Sequence, residues 1–474
     1  MINDDLAPTP QSTRTWNTWH VASLWVGMSV CIPTYMLSAS MIQAGMSWRQ
    51  SLLTIFVGNA LVLLPLVINA HAGTRYGIPF PVYARASFGL MGAHIPSLAR
   101  AIVACGWFGI QTWIGGLAIN ALVGLLWPTW SSLGGEWAFM GYSLPYYIGF
   151  LLFWLLNVYF VWAGTESIKR LETVAAPFLI LMGLALLGWA MNRVGGIGAI
   201  LSQSDALVAT RAPMSTSKFL LTLFLPWLTA MVGFWATLSL NIPDFTRYAG
   251  TQRDQMTGQA LGLLVTMPLF SFIGLAVTSA TVLLYGEAIW NPVDLLARLA
   301  AEQNSALIAI VSMGAIVIAT LSTNIAANVV SPANSFSNLA PNRISFRAGG
   351  LIAAVIGIGI LPWKLLELYQ GWLITYSGLL GAVGGVILCD YLLIRRTRLD
   401  VDALYTEESE YAYSGSGVNP AAVWATLAGI GIAVLGLVVP ALSFLFEGAW
   451  FSATIVSVTV YWLLMRNHVS RVTG

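Results

Sequence analysis

Long apolar stretches alternate with short polar connections along almost the whole chain. A helix of about 20 apolar residues spans a bilayer, and the pattern predicts twelve spans, at 19–43, 48–72, 96–127, 145–163, 171–192, 219–241, 257–285, 305–330, 348–363, 369–394, 420–440 and 443–465. The stretches are apolar at consecutive positions, whereas membrane strands alternate with a period of two. The pattern therefore predicts an all-α polytopic membrane protein with about twelve transmembrane helices.

Composition and charge support a lipid environment. Of the 474 residues, 57% are hydrophobic and 8% are charged, whereas about a quarter of a soluble domain is charged. The net charge is +2 and no basic stretch is interleaved with aromatic residues, so nucleic acid is not an expected partner. Cys31, Cys105 and Cys389 all lie in apolar spans, which implies no disulfide framework.

The distribution of Lys and Arg predicts the orientation. Of 21 such residues, 14 lie on the side of the N-terminus, six lie on the other side, and Arg100 lies within a span. Cytoplasmic loops carry the excess of Lys and Arg, so both termini are expected in the cytoplasm. The compact loops favour a bacterial inner membrane.

Two spans contain helix-breaking residues. Span 1 contains Pro33 near its middle, and span 6 contains Pro226 followed by Gly233. Proline removes an intrahelical hydrogen bond, and a freed backbone group in a membrane needs another partner, such as an ion or a substrate. Spans 1 and 6 are five apart, as expected for interrupted helices in inverted repeats of spans 1–5 and 6–10. Two structural proline kinks are the alternative.

Polar side chains within spans 3 and 8 suggest a binding site. Trp107 and Gln111 are four residues apart and share a helix face, where they suit a flat ring and its polar edge. Ser322 and Thr323 supply oxygens that suit a hard cation. Asn328 and its neighbour Asn324 offer a donor beside an acceptor, which matches the ureide edge of uracil, hydantoin or allantoin. Contacts between helices are the alternative role.

Enzyme signatures are lacking in the sequence. It contains no HExxH, no Asp-rich metal motif, no Walker loop and no Gly-x-Ser-x-Gly. A membrane-embedded enzyme, such as a lipid-modifying transferase, is therefore a remote alternative. A channel or sensor also stays open, and a leak current that is unaffected by substrate would favour a channel.

Seven motifs stand out along the chain, namely NAHAGTRYGIPFP at 69–81, RASFG at 85–89, WFGIQTW at 107–113, NIPDFTR at 241–247, STN at 322–324, AAN at 326–328 and DY at 390–391. Together they resemble the nucleobase–cation symporter-1 family, especially its bacterial allantoin and uracil permeases, and they are less close to the benzyl-hydantoin transporter. The resemblance covers nearly the whole chain. It implies a leucine-transporter-like fold of 5+5 inverted repeats plus two C-terminal helices, and inward symport of a small heterocycle with Na⁺ or H⁺.

This resemblance divides the chain into six expected segments. They are a flexible cytoplasmic lead at 1–18, helices 1–5 at 19–192, the inverted helices 6–10 at 219–394, a cytoplasmic loop at 395–419, helices 11–12 at 420–465 and a cytoplasmic tail at 466–474.

The resemblance also implies roles for the substrate site. Trp107 and Trp235 would sandwich the ring, Gln111 and Asn328 would bind its edge, and the backbone of Phe234 would face it. Cys31 stands where relatives carry Gln or Asn. The same fold with an amino acid or organic amine as substrate is an alternative, although those ligands need charged groups satisfied.

A Na⁺ site is implied next to the substrate site. The side chains of Ser322 and Thr323 would bind the ion together with the carbonyls of Gly27, Val30 and Ala319. The absence of a titrating residue near the site favours Na⁺ over H⁺, and proton coupling is the alternative. No resident cofactor is expected. The partners are a pyrimidine or a hydantoin-type ureide and membrane lipid, and the protein is expected to be a monomer.

Overall fold

Helices dominate this computed structural model, which describes residues 6–163, 165–209, 214–340, 343–413 and 415–468. The α-helices are α1 Thr18–Ser29, α2 Ile32–Gln43, α3 Trp48–Tyr76, α4 Phe80–Tyr83, α5 Arg85–Phe88, α6 His94–Leu126, α7 Leu144–Ala163, α8 Thr165–Val194, α9 Ile197–Ala209, α10 Thr216–Phe219, α11 Leu225–Asn241, α12 Pro243–Thr246, α13 Gln252–Tyr285, α14 Pro292–Glu302, α15 Ala306–Asn328, α16 Val330–Leu339, α17 Phe346–Gly359, α18 Pro362–Glu367, α19 Tyr369–Cys389, α20 Pro420–Val438, α21 Ser443–Glu447 and α22 Ala449–Met465. Strands β1 Ala138–Phe139 and β2 Tyr142–Ser143 form a short antiparallel hairpin.

The predicted spans coincide with apolar helices. Nine helices in the described part of the chain are long and apolar enough to cross a membrane, or up to eleven if each of two bent pairs forms one span. The ninth predicted span corresponds to the shorter apolar helix α17. Arg211 and Arg471, which entered the orientation count, lie outside the described residues, as do the ends of the predicted lead and tail.

Span 1 is broken, as predicted. Helices α1 and α2 meet at an angle of 57°, and the break falls at Val30 and Cys31. The Cys31 amide donates to the Ser29 carbonyl at 3.1 Å instead of to Gly27, four residues back. Pro33 lies in the first turn of α2, where its missing N–H costs little. The break therefore removes the usual helical donor from the Gly27 carbonyl.

The predicted interruption of span 6 is wrong. Helix α11 is continuous through Gly233 to Asn241. Pro226 lies in the first turn of α11, directly after a π-helical turn at Leu220–Phe224. The wider turn and the N-terminal position both accommodate the proline ring, so the helix continues without a break.

The helices pack so that broken α1–α2 and continuous α11 lie near the centre of the bundle. Helix α1 packs on α13, α11 packs on α3 and α19, and α15 packs on α6. We call the end of the bundle that carries residues 6–17 and 395–419 the N-terminal face, and the other end the opposite face. The buried side chains along these contacts form one large hydrophobic core.

The described part of the N-terminal lead is packed, in contrast to the flexible segment expected. Leu6 is buried, and the Thr9 amide donates to Gly77 at 2.8 Å. The Arg14 guanidinium donates to the carbonyls of Thr9 and Thr74 at 2.8 and 3.0 Å. These bonds attach the lead to the end of α3.

Candidate functional site

One central cavity brings together all six residues predicted for substrate binding. Trp107 and Gln111 come from α6, Phe234 and Trp235 from α11, Asn328 from the end of α15, and Cys31 from the break in span 1. The empty space between these side chains, counted together with the open solvent at its mouth, is about 390 Å³. Residues more than 200 positions apart therefore line a single space.

Hydrogen bonds from other helices fix the two indoles. The Trp107 Nε1–H donates to the Tyr376 hydroxyl at 3.1 Å, and that hydroxyl donates to the Gly233 carbonyl at 2.8 Å. The Trp235 Nε1–H donates to Asn59 Oδ1 at 2.9 Å. Both N–H groups are therefore used within the protein, and a ligand would meet these residues through their rings and not through the N–H groups.

The ring of Phe234 packs against both indoles. Its centroid is 5.1 Å from that of Trp107 and 4.9 Å from that of Trp235, with interplanar angles of 72° and 80°. The resemblance implied that the backbone of Phe234 faces the substrate. Helix α11 is continuous at this residue, and Phe234 lines the cavity together with the two indoles.

Gln111 is buried without a hydrogen-bond partner. Its side chain is 4% exposed, and its Oε1 has no partner among the described residues. Asn328 donates through Nδ2 to Asn324 Oδ1 at 3.1 Å, which leaves its own Oδ1 as an acceptor at the cavity. A buried amide without a hydrogen-bond partner costs about 1–3 kcal/mol of stability. A ligand that donates a hydrogen bond to Gln111 Oε1 would remove this cost.

Asn324, one turn before Asn328, has a different environment. Its Nδ2 lies 3.2 Å from the Phe108 carbonyl, 3.1 Å from Thr112 Oγ1 and 3.1 Å from Asn157 Oδ1. These bonds join α15 to α6 and α7. Asn324 is therefore a contact between helices, the alternative that the sequence left open.

Cys31 lies at the start of α2 and lines the cavity next to α11. Its Sγ is 3.2 Å from Thr34 Oγ1, so the thiol already has a polar neighbour. The three cysteines are free and buried.

The residues predicted for Na⁺ lie on α1, at the break in span 1 and on α15. Ala319, Ser322 and Thr323 are buried on α15, where the Thr323 hydroxyl donates to the Ala319 carbonyl at 3.0 Å. Val30 is buried at the break. Gly27 is exposed, and nothing lies within 4 Å of the position that a Cβ would occupy. Helix α1 is therefore not packed against a neighbour on that side of Gly27.

The lining of the cavity carries no Asp, Glu, His, Lys or Arg among its described residues. It does include four residues that the sequence analysis did not predict, namely Met28, Thr237, Leu238 and Ala327. Thr237 is three residues beyond Phe234 and so lies on the same helix face, a spacing signal that was present in the sequence. The fixing roles of Asn59 and Tyr376 depend on tertiary contacts and had no such signal.

The sequence is similar to those of known permeases. Residues 8–463 match the family model described as permease for cytosine/purines, uracil, thiamine, allantoin. The chain is 45% identical to the purine-uracil permease NCS1 of Arabidopsis thaliana, over 98% of this chain and 78% of that protein. It is 41% identical to the allantoin permease of Bacillus subtilis (strain 168), over 99% and 94%.

The fold also matches a solved structure. Mhp1, described as a nucleobase-cation-symport-1 family transporter in a closed conformation with bromovinylhydantoin bound, has a TM-score of 0.77 at 26% identity, over 99% of this chain and 96% of that chain. The match confirms the predicted fold class.

Proposed function

The chain belongs to the family of permeases for cytosine and purines, uracil, thiamine and allantoin, and from that premise we propose that it imports a neutral flat heterocycle with a ureide edge by cation symport. It is a transporter and not an enzyme. The observation that carries the proposal is the unpaired amide of Gln111 beside the indoles of Trp107 and Trp235. Uracil, allantoin and hydantoin are the substrate types.

The polarity of the cavity supports a neutral substrate. A ureide presents an N–H beside a C=O, and a carboxamide offers the complementary acceptor and donor. Gln111 and Asn328 supply these groups, while the indole faces supply stacking surface. An amino acid or an organic amine brings charges that need partners when buried, and the described lining offers no charged side chain.

We propose Na⁺ as the coupling ion. Ser322 and Thr323 supply hydroxyl oxygens, and the break in span 1 removes the helical donor from the Gly27 carbonyl; hard cations take such oxygen ligands. Binding of Na⁺ between α1 and α15 would draw these helices together next to the substrate. By linkage, substrate must then raise the affinity for Na⁺ by the same factor that Na⁺ raises the affinity for substrate.

Transport would follow alternating access. Of the predicted spans, spans 1, 2, 6 and 7 would move against spans 3, 4, 8 and 9. Helix α19, which forms span 10, would act as a thin gate towards the opposite face. The excess of Lys and Arg supports an N-terminal face in the cytoplasm. We propose a monomer in a bacterial inner membrane, with lipid around its exposed apolar helices.

Uptake into cells that express the chain tests the proposal. Labelled uracil, allantoin and hydantoin are offered in Na⁺ buffer and in Na⁺-free buffer, with unlabelled cytosine, thymine and benzyl-hydantoin as competitors. We expect uptake of at least one ureide, higher in Na⁺. Failure of all three labelled rings would reject the ureide assignment, and equal uptake in both buffers would reject Na⁺.

A further inference from the structure

A second cavity opens at the opposite face of the bundle. It has a volume of about 560 Å³ including its mouth. Its lining comes from the end of α2, the start of α11, the loop before α14 and the junction of α18 with α19, and consists of Ser40, Gln43, Ala44, Trp227, Trp290, Leu366, Glu367, Tyr369 and Gln370. The cavity shares no lining residue with the central one.

The lining of this second cavity repeats the chemistry of the central site. The side chains of Gln43 and Gln370 make no hydrogen bond with another described residue, so their two carboxamides are available to a ligand. Trp227 is buried, and its indole N–H also has no partner within the described chain. Trp290 adds a second indole. Flat aromatic surface and unpaired amide groups therefore meet in one space.

The one acidic group at this cavity is already satisfied. Glu367 accepts from Lys364 Nζ at 2.8 Å and from the Tyr142 hydroxyl at 3.2 Å. The ion pair neutralises the carboxylate, so it does not make the cavity a cation site. A neutral polar ligand fits this environment better than an ion.

Tyr369 links the two cavities. Its ring lines the second cavity and lies 6.1 Å from the ring of Trp107, which lines the central one. Its hydroxyl donates to the Pro33 carbonyl at 3.1 Å, just beyond the break in span 1. One aromatic side chain therefore stands between the two spaces, on the side away from the N-terminal face.

We propose that the second cavity is a staging site that binds the same class of neutral flat heterocycle before it passes Tyr369 to the central site. The inference rests on the proposed function, since it takes the ligand class from the central cavity. Gln43 and Gln370 bind the polar edge of the ring, and the indoles of Trp227 and Trp290 supply its stacking surface.

Binding stoichiometry tests the proposal. Purified protein in lipid nanodiscs is titrated with labelled allantoin and, separately, labelled uracil up to saturation. We expect two bound ligands per chain for the unmodified protein and one for Gln111→Ala. We also expect one for the double variant Gln43→Ala with Gln370→Ala, and about tenfold higher KM in its uptake. Gln303 is an exposed glutamine on the same face. The matched control, Gln303→Ala, is expected to retain two bound ligands per chain.

The staging site would be overturned if the unmodified protein and the double variant each bind one ligand per chain and have the same KM. That result would leave the proposed function intact. No binding of either ring or of labelled hydantoin to the unmodified protein would overturn both. The staging site would also be overturned if the unmodified protein binds one ligand per chain and Gln111→Ala binds none, because all binding would then take place in the central cavity.

Chemical protection gives a readout that does not require a second ligand to be counted. Ser40 lines the second cavity but is given no role in holding the ring. Ser40→Cys in a Gln111→Ala background is treated with a membrane-impermeant thiol reagent, because the native cysteines are buried. We expect saturating allantoin to slow the labelling at least threefold. Labelling of Gln303→Cys in the same background stays unchanged. Equal labelling of Ser40→Cys with and without allantoin and uracil would reject the staging site.

Discussion

Two buried carboxamides in this protein should respond in opposite ways to near-isosteric apolar substitution. Within the described chain, Gln111 Oε1 has no hydrogen-bond partner, whereas Asn324 Nδ2 is within 3.2 Å of three acceptors. We predict that Gln111→Met leaves the free energy of unfolding nearly unchanged or raises it, and weakens ligand binding. Asn324→Leu should instead lower the free energy of unfolding. The hydrogen bonds thus predict different roles for two residues of similar chemistry.

The magnitudes follow from the hydrogen bonds. Removing an unpaired buried amide gains about 1–3 kcal/mol, and a volume-conserving swap costs less than about 1.5 kcal/mol, so Gln111→Met should change stability by about −0.5 to +3 kcal/mol. The two N–H groups of Asn324 serve two acceptors at a time, and its Oδ1 accepts from Asn328. Its loss should therefore cost about 3–9 kcal/mol, at about 1–3 kcal/mol for each of the three partners left unpaired.

The cost to binding is separate. Two lost hydrogen bonds at about 0.5–1.5 kcal/mol each weaken binding by about 1–3 kcal/mol, which is about 5- to 150-fold in Kd. Ligand raises apparent stability by RT ln(1 + [L]/Kd). At the same ligand concentration, the thermal shift that allantoin produces should therefore be smaller for Gln111→Met than for the unmodified protein.

The assay is thermal unfolding of the detergent-purified protein, first without ligand and then with saturating allantoin or uracil. Expression in the membrane is quantified for both variants. If Gln111→Met lowers the ligand-free melting temperature as much as Asn324→Leu, Gln111 is a contact between helices and the central argument for the substrate site fails.

Three further substitutions probe neighbouring groups. Phe234→Ala should lower the concentration of unlabelled benzyl-hydantoin that halves allantoin uptake at least tenfold. The phenyl ring lies against both indoles, and its removal makes room for a larger ligand. An unchanged concentration would mean that Phe234 does not limit ligand size. Tyr376→Phe leaves the Trp107 N–H unpaired and should lower the free energy of unfolding by about 1–3 kcal/mol. It should also raise the uptake KM, because the indole loses the hydroxyl that positions it; an unaltered KM would show that the indole holds its position alone. Thr323→Ala should raise the Na⁺ concentration for half-maximal uptake, whereas the buried Thr320→Ala on the same helix should not; equal Na⁺ curves for the two variants would remove Thr323 from the ion site.

The length of the apolar runs made the membrane helices predictable. Helices α9 and α14 were missed because they contain 13 and 11 residues, too few for a search for segments of about 20. Helix α14 buries Leu295, Leu296 and Leu299 on one side only. Its amphipathic pattern was available in the sequence, but hydropathy averaged over a span does not detect it.

Tertiary contacts decided what the sequence could not. Asn324 and Asn328 are the same residue type one helical turn apart, and only the positions of α6 and α7 assign one to a contact and the other to the cavity. The roles of Asn59 and Tyr376 depend equally on neighbouring helices. In span 6, the wider π-helical turn before Pro226 accommodates the proline ring without a break in the helix. The general rule that a proline interrupts a helix does not take such a neighbouring turn into account.

Spans 1 and 6 offer different groups to a ligand. The break between α1 and α2 removes the helical donor from the Gly27 carbonyl, whereas α11 keeps its helical backbone and presents side chains. Under the proposed symport, an ion that needs backbone oxygen would act through span 1, and a ring that needs aromatic surface would act through span 6. Ion binding at the break would then favour closure next to Cys31, and two chemically distinct ligands would share one conformational equilibrium.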